Sequence, residues 1–164
     1  MSINERVRAL LEGHDVTYLV HPHREVFTSQ RLAEVTHVPG RQLAKTVVLR
    51  PEHGEHFLYV LPAPDHVDLK LLQHITGLDR PRFAAETDIG RLFPDCELGA
   101  IPPFGGLYRL PTYVDPCLFG SDWVYFQAGS HRELIGIRGE DFERLARPAR
   151  IVGCAHLTSE PAYS

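Results

Sequence analysis

LAKTVVLR, residues 43–50, and FLYVL, residues 57–61, are strongly strand-prone segments of the chain. Apolar and β-branched residues dominate both runs, and the short turn PEHG between them predicts an antiparallel hairpin. Side chains alternate along a strand, so Lys45 and Thr46 lie on opposite faces of the first run. Because both faces of that run are largely apolar, we expect it to be a central strand of its sheet.

Further helices and strands are expected on both sides of this hairpin. Ser2 and Glu5 have the spacing of a capping box, which predicts a first helix that ends near Gly13. The irregular alternation of the elements, with hairpins among them, predicts a mixed α/β (α+β) fold. The other predicted helices cover residues 28–36, 65–75 with Asp65 as the cap, 87–93 and 141–146, and the other predicted strands cover residues 16–20, 81–83, 107–114, 123–127 and 134–138.

The length and composition of the chain predict one globular domain, residues 1–164, with a frayed tail at residues 159–164. A net charge of −4 and a pI of about 6.2 argue against bulk electrostatic binding of nucleic acid. DNA is therefore not an expected partner, and any contact with RNA should be small. The three cysteines form no CxxC pair, and no apolar run is long enough for a leader or a membrane span. These features predict a cytoplasmic protein without a membrane partner.

Three segments contain residues that could carry chemistry, and each has a purely structural alternative. Lys45 is either a functional ammonium in apolar surroundings or a strand-end lysine that reaches water along its stem. Residues 99–106, GAIPPFGG, either direct backbone N–H groups at a ligand oxygen or serve as a rigid connector. Residues 127–131, QAGSH, offer an amide, a hydroxyl and an imidazole, or form an ordinary exposed hairpin turn.

The sequence gives little support to a metal or a cofactor. Ten histidines are present, yet His21 and His23 are the only pair separated by a single residue, a proline, and there is no HExxH. GxSxG, Walker and GxGxxG motifs are also absent, which disfavours serine hydrolases, P-loop proteins and dinucleotide-binding proteins. We therefore expect a site without metal or cofactor.

Four segments in this order resemble the YbaK/prolyl-tRNA synthetase-associated editing domain. They are HPHREVFTSQRLAEVTHVPGRQLAKTVVLR (21–50), DLKLLQHITG (68–77), GAIPPFG (99–105) and DWVYFQAGSHRELIGIRGEDFERL (122–145). The resemblance covers residues 16–146. It implies a mixed, partly barrel-like sheet with surrounding helices and a metal-free enzyme, an aminoacyl-tRNA deacylase acting in trans. The implied substrate is the 3′-terminal aminoacyl-adenosine of a mischarged tRNA, tRNA-Pro or a related one carrying a small amino acid, with a synthetase as a further partner.

The same resemblance implies roles for individual residues. Lys45 matches the essential lysine of the family and is expected to anchor the terminal nucleotide or the ester carbonyl. N–H groups of the loop would stabilise the oxyanion, and the ribose hydroxyl of the substrate would assist the attacking water. If Gly105 lets the backbone approach the ester, Gly105→Val should abolish turnover and leave the fold intact. The other matching positions are Gly99 and Pro103 in the loop, Gln127 and Gly129 after a late strand, and His131 at the amino-acid pocket. Beyond these matches, we expect Phe27, Thr28, Thr46 and Phe104 to line the same pocket.

Two questions stay open at this stage. Many family members have Ser or Thr where this chain has Pro102, so the preferred amino acid is not fixed by the resemblance. A non-catalytic module that binds a tRNA end or a synthetase is the alternative function. Turnover distinguishes the two, because a binder retains aminoacyl-tRNA without releasing the amino acid.

Overall fold

The computed structural model describes residues 3–156, in which helices and short strands alternate. The helices are α1 Glu5–Gly13, α2 Ser29–Thr36, α3 Leu69–Thr76, α4 Glu86–Leu92 and α5 Gly139–Ala146. The strands are β1 Tyr18–Pro22, β2 Ala44–Arg50, β3 Phe57–Pro62, β4 His66–Val67, β5 Arg82–Phe83, β6 Thr112–Val114, β7 Trp123–Phe126, β8 Glu133–Arg138, β9 Arg150–Ile151 and β10 Ala155–His156. The predicted mixed α/β fold is confirmed.

The predicted hairpin is the centre of the largest sheet. β2 and β3 pair antiparallel from Ala44 opposite Pro62 to Leu49 opposite Phe57. The sheet has the order β5-β2-β3-β6-β9, and β3 and β6 are parallel, so the sheet is mixed. Every residue of β3 is buried, as expected for a strand covered on both faces.

A second, antiparallel sheet has the order β1-β8-β7, and β10 pairs with β4 in a small third sheet. An isolated parallel bridge between Leu43 and Tyr125 joins the start of β2 to β7. The sheets curve around a shared apolar core without closing, which is the partly barrel-like arrangement that we expected.

The two faces of β2 pack against different parts of the core. Ala44 belongs to an apolar cluster with Phe104 and Phe126, and Val48 packs with Ile101. Leu49, on the opposite face, packs in a cluster with Leu72 of α3 and Leu61 of β3. The even-numbered face of β2 is therefore covered by the loop of residues 99–106, and the odd-numbered face is covered by other elements.

Two predicted helix caps were wrong. Asn4 caps α1, and its side-chain oxygen accepts from the Val7 N–H at 3.1 Å; Ser2 lies outside the described residues. Asp68 caps α3 and accepts from the Leu71 N–H at 3.0 Å. Asp65, three residues earlier, is instead buried in the turn after β3.

The predicted strand at residues 107–114 was also wrong in its first half. A 3-10 turn, Gly105–Tyr108, replaces it because backbone bonds link Leu107 to Phe104 and Leu110 to Gly105, and only Thr112–Val114 pairs as a strand. The predicted tail at residues 159–164 lies outside the described residues. Among the helices of residues 3–156, none has the length and apolar content to cross a membrane.

Candidate active site

Lys45 lies in the second position of β2, opposite Leu61 of β3, and is half-buried. Within the described part of the chain, no hydrogen bond or ion pair engages its ammonium group. Burial lowers the pKa of Lys45, and the negative charge of Asp65 opposes that effect. A partly desolvated cation without a partner is costly, so the arrangement suits a group that receives an oxygen ligand.

The edge of β2 that faces away from β3 has a central part without a hydrogen-bonded neighbouring strand. The bond from the Ala63 N–H to the Leu43 carbonyl shows that odd-numbered residues of β2 bond to β3, so even-numbered ones point away from it. Val48 uses this edge to accept from Ala84, and Leu43 bridges to β7. The N–H and C=O of Thr46 thus face an opening between β5 and β7.

Thr46 adds an unsatisfied hydroxyl to this opening. Its Oγ1 is buried and has no hydrogen-bond partner. The Thr46 side chain is on the same face of β2 as Ala44 and Val48, which belong to the apolar clusters of Phe104 and Ile101 respectively. It therefore lies on the face covered by the loop of residues 99–106. A buried polar atom without a partner is uncommon in a folded protein and indicates a place for water or a ligand.

The loop presents four N–H groups without an acceptor among residues 3–156: those of Gly99, Ile101 and Phe104, and that of the exposed Gly106. The N–H of Ala100, by contrast, bonds to the Glu97 carbonyl. Pro102 and Pro103 between them are buried and have no N–H, so they hold the loop without competing for an acceptor. This segment is therefore able to donate to a developing oxyanion.

Gly105 does not fit the role that the sequence suggested. Its N–H donates to Thr112 Oγ1 at 2.9 Å, so it is not available to a substrate. A Cβ on Gly105 would lie 2.3 Å from that same oxygen and 2.6 Å from the Leu110 carbonyl oxygen. The glycine allows two chain segments to pack closely, and we correct its predicted role from ligand approach to packing.

Phe104 also differs from the prediction for its side chain. Its ring is 2% exposed and packs edge-on against Phe126, with centroids 5.2 Å apart, and against Phe142. The side chain is part of the core and does not line an accessible pocket. Only its backbone N–H remains a candidate for the site.

His131 is fixed at the other side of the site by two hydrogen bonds. Its Nε2 lies 2.6 Å from the Leu98 carbonyl oxygen, which can only accept, so Nε2 carries the proton. Its Nδ1 lies 3.4 Å from the Gln127 amide nitrogen, which donates to it. With both ring nitrogens engaged, His131 is suited to shaping a pocket wall rather than to removing a proton.

The glycines of the two segments allow the loop and the turn to meet. Gly99 has φ +86°, and its ideal Cβ would lie 3.3 Å from His131 Cε1. Gly129 has φ +93°, donates to the Ala100 carbonyl at 2.8 Å and accepts from the Glu97 N–H. A side chain at either position would be strained. The parallel bridge joins Leu43 to Tyr125. Gln127, two residues after Tyr125, is therefore level with Lys45, two residues after Leu43.

Phe27 contacts His131 from the solvent side. Its ring is 71% exposed and lies 4.8 Å from the imidazole, centroid to centroid. Thr28 has a structural task, because its hydroxyl caps α2 and accepts from the Arg31 N–H. Phe27 is thus an exposed apolar group at the rim of the site, and Thr28 holds the helix beside it.

Sequence reasoning missed Asp65 as a member of the site. Its carboxylate, 3% exposed, accepts from the Arg41 guanidinium at 2.5 Å and acts electrostatically on Lys45. The available signal was an aspartate directly after the β3 run, which we interpreted as a helix cap. No group of three or more metal-ligating side chains occurs among residues 3–156. His21 packs edge-on against Tyr125, and His23 Nδ1 contacts the Arg24 carbonyl.

The comparisons with known proteins give the family. The model of the aminoacyl-tRNA editing domain matches residues 23–145. The prolyl-tRNA editing protein ProX of Acetoanaerobium sticklandii is 24% identical over 152 residues, which cover 90% of this chain and 92% of that protein.

Solved structures share the fold. A candidate trans-editing enzyme for prolyl tRNA synthetase superposes with a TM-score of 0.76 at 22% identity, covering 92% of this chain and 95% of the other. Hypothetical protein APE2540 superposes with a TM-score of 0.79 at 16% identity, covering 93% and 100% of the two chains. The family match spans most of the chain, and the resemblance seen in the sequence is confirmed. The chain belongs to the aminoacyl-tRNA editing domain family.

Proposed function

We propose that this protein is a trans-acting deacylase that hydrolyses the ester of a mischarged aminoacyl-tRNA. The observation that carries the proposal is the half-buried Lys45 ammonium, which no group among the described residues engages. It lies next to Thr46 in β2, and Thr46 faces an open strand edge and lies under the loop with unused N–H donors. This cation and the unsatisfied polar groups of Thr46 and the loop suit one oxygen-rich ligand, as an aminoacyl ester on a terminal ribose is.

In the proposed reaction, water attacks the ester carbonyl carbon and the bond from that carbon to the ribose oxygen breaks. The ribose oxygen takes up a proton, so the products are a free amino acid and tRNA with an intact 3′ end. Lys45 binds the carbonyl oxygen or the terminal phosphate by charge. The N–H groups of Gly99, Ile101 and Phe104 offer the donors for the oxyanion, which is the contribution expected to matter most in acyl transfer.

No side chain in the site is placed as a general base. His131 is engaged at both nitrogens, and Lys45 is a cation whose task is binding. The family resemblance supports assistance by the neighbouring ribose hydroxyl of the substrate. A terminal 2′-deoxyadenosine that carries the amino acid on its 3′ oxygen should therefore be a much poorer substrate.

The pocket wall formed by Phe27 and His131 supports selection of a small amino acid by size. One methylene is worth only about 1–3 kcal/mol in a binding site, so exclusion by a wall discriminates better than attraction does. The relative named as a prolyl-tRNA editing protein supports tRNA-Pro as the substrate, with prolyl-tRNA synthetase as the partner that supplies it. Such a task belongs in the cytoplasm.

The test is a deacylation panel. tRNA-Pro charged with alanine, serine, cysteine or proline, and other tRNAs charged with alanine, are incubated with the protein, and released amino acid is measured. We expect rapid release of at least one small non-cognate amino acid and retention of proline on tRNA-Pro. Binding of the charged tRNAs without release from any of them would favour the non-catalytic module instead.

A further inference from the structure

We propose that Asp65 is a positioning residue for Lys45, and that Arg41 shares its carboxylate so that Lys45 stays available to the substrate. The inference rests on the proposed function only in taking Lys45 as the group that contacts the substrate. The three residues come from different places, since Arg41 lies in a 3-10 turn before β2, Lys45 in β2, and Asp65 after β3.

The first observation is the burial of Asp65. Its side chain is 3% exposed, whereas that of Arg41 is 55% exposed. The Asp65 N–H donates to the Pro62 carbonyl, and the Ala63 N–H donates to the Leu43 carbonyl, which fixes this turn against the start of β2. A carboxylate is rarely buried unless it is paired. Because Arg41 is largely solvated, its charge offsets only part of the free-energy cost of burying the Asp65 carboxylate.

The second observation is that the Asp65 carboxylate acts electrostatically on both Arg41 and Lys45 but forms a direct ion pair only with Arg41. Asp65 forms a direct ion pair with Arg41 and raises the pKa of that guanidinium. It also opposes the lowering of the Lys45 pKa by burial. Among residues 3–156, however, Lys45 and Asp65 are not within ion-pair distance. Lys45 thus receives electrostatic support and keeps its hydrogen-bond donors free.

Arg41 and Lys45 compete for the same carboxylate, and this competition explains why only Arg41 forms the direct ion pair. If Arg41 were absent, Asp65 would be a buried and uncompensated carboxylate, and the flexible lysine stem would bring its ammonium into a direct ion pair. A lysine held in this way would bind an ester or phosphate oxygen less readily. If Asp65 were absent, burial alone would act on Lys45, and more of the lysine would be neutral at a given pH.

The other groups on the elements packed at this end of β2 do not perform this task. Leu61, opposite Lys45, is apolar, and Tyr125 on β7 packs edge-on against His21. Asp68, three residues after Asp65, caps α3. Asp65 is the group whose charge acts on Lys45.

The sequence makes a direct test possible because it contains only two lysines, Lys45 and Lys70. In a Lys70→Arg background, selective carbon-13 labelling of lysine gives one side-chain NMR signal, whose titration reports the pKa of Lys45. We expect Asp65→Asn to move this titration to lower pH and Arg41→Gln to move it to higher pH. Asp68→Asn, which removes a carboxylate nearby and keeps a good helix cap, should leave it unchanged.

Opposite shifts from two partners of one ion pair are a signature that general destabilisation does not produce. The inference is overturned if Asp65→Asn leaves the titration where it was, or if both variants move it in the same direction. If Asp65→Asn does not fold, Arg41→Gln decides alone, because it changes a largely exposed side chain and must raise the pKa of Lys45.

Activity supplies an independent second readout. The alkaline limb of the deacylation pH profile should move to lower pH in Asp65→Asn, and KM should rise in Arg41→Gln with little change in kcat. A protein that hydrolyses no aminoacyl-tRNA would contradict the proposed function, yet the NMR titrations would still decide whether Asp65 and Arg41 control Lys45. An unchanged titration with normal deacylation would refute the positioning role alone.

Discussion

Gly105→Ala tests the corrected role of the glycine loop. The added methyl carbon would lie 2.3 Å from Thr112 Oγ1, 2.6 Å from the Leu110 carbonyl oxygen and 3.2 Å from Leu58 Cδ1. Overpacking of this kind costs about 1–3 kcal/mol, and weakening the buried bond from the Gly105 N–H to Thr112 adds about 1 kcal/mol. We expect a loss of roughly 2–4 kcal/mol, and at about 2–4 °C per kcal/mol a fall in Tm of roughly 4–16 °C.

The assay measures the free energy of unfolding in urea and, at a temperature where both proteins are folded, the deacylation rate per folded molecule. Gly106→Ala is the matched control, because its Cβ would have no atom within 4 Å, and its stability should change little. The rate of folded Gly105→Ala should stay within a few-fold of the parent. A fully stable Gly105→Ala protein without turnover would refute the packing role and return this N–H to the oxyanion site.

Three further predictions concern metal, salt and pH. Deacylation should survive exhaustive chelation, since no metal-ligating cluster is found among residues 3–156; loss with EDTA that zinc restores would contradict a metal-free site. Binding of uncharged tRNA should weaken only shallowly with salt, because about three phosphate contacts by residues such as Lys45 and Arg132 give a log–log slope of about −2 to −3; a much steeper slope would contradict the small footprint. Lys45→Met should stabilise the protein at pH 7, because the folded-state pKa of Lys45 is below its ordinary value of 10.5. Between the folded-state and unfolded-state pKa values of Lys45, the unfolded chain binds more protons, so the free energy of unfolding of the parent rises with pH. The difference in the free energy of unfolding between Lys45→Met and the parent should therefore shrink toward pH 10. A difference that does not shrink would contradict the lowered pKa.

The hairpin and the place of Lys45 within it were predictable because local sequence determines them. Continuous runs of apolar and β-branched residues predict β2 and β3 without reference to the rest of the chain, and a lysine inside such a run is conspicuous. The helix caps were less predictable: Asp65 and Asp68 are both competent caps, and only tertiary burial of Asp65 beside Arg41 decides between them. Element boundaries therefore depended on contacts far along the chain.

The site could be predicted only in part for the same reason. Gly105 and Phe104 lie in a glycine-rich loop that resembles a ligand-binding segment. In the structure, however, the Gly105 N–H bonds to Thr112 and the Phe104 ring packs against Phe126, so both residues are part of the core. The pairing of Asp65 with Arg41 joins residues 24 positions apart, and no spacing pattern reveals it. The roles of the site residues, and the single-domain organisation, stay predictions that experiment must test.

Removal of the Lys45 ammonium tests the central claim most directly. Deacylation of each mischarged tRNA in the panel is measured for the parent, for Lys45→Ala and Lys45→Arg, and for Lys70→Ala as the matched control at the other lysine, which is exposed on α3. We predict that Lys45→Ala loses most activity at unchanged or slightly higher Tm. Lys45→Arg should recover little of that activity, because the planar guanidinium of arginine does not replace a compact ammonium. Lys70→Ala should behave like the parent. A folded Lys45→Ala protein that releases the amino acid from every tRNA at the parent rate would contradict the mechanism.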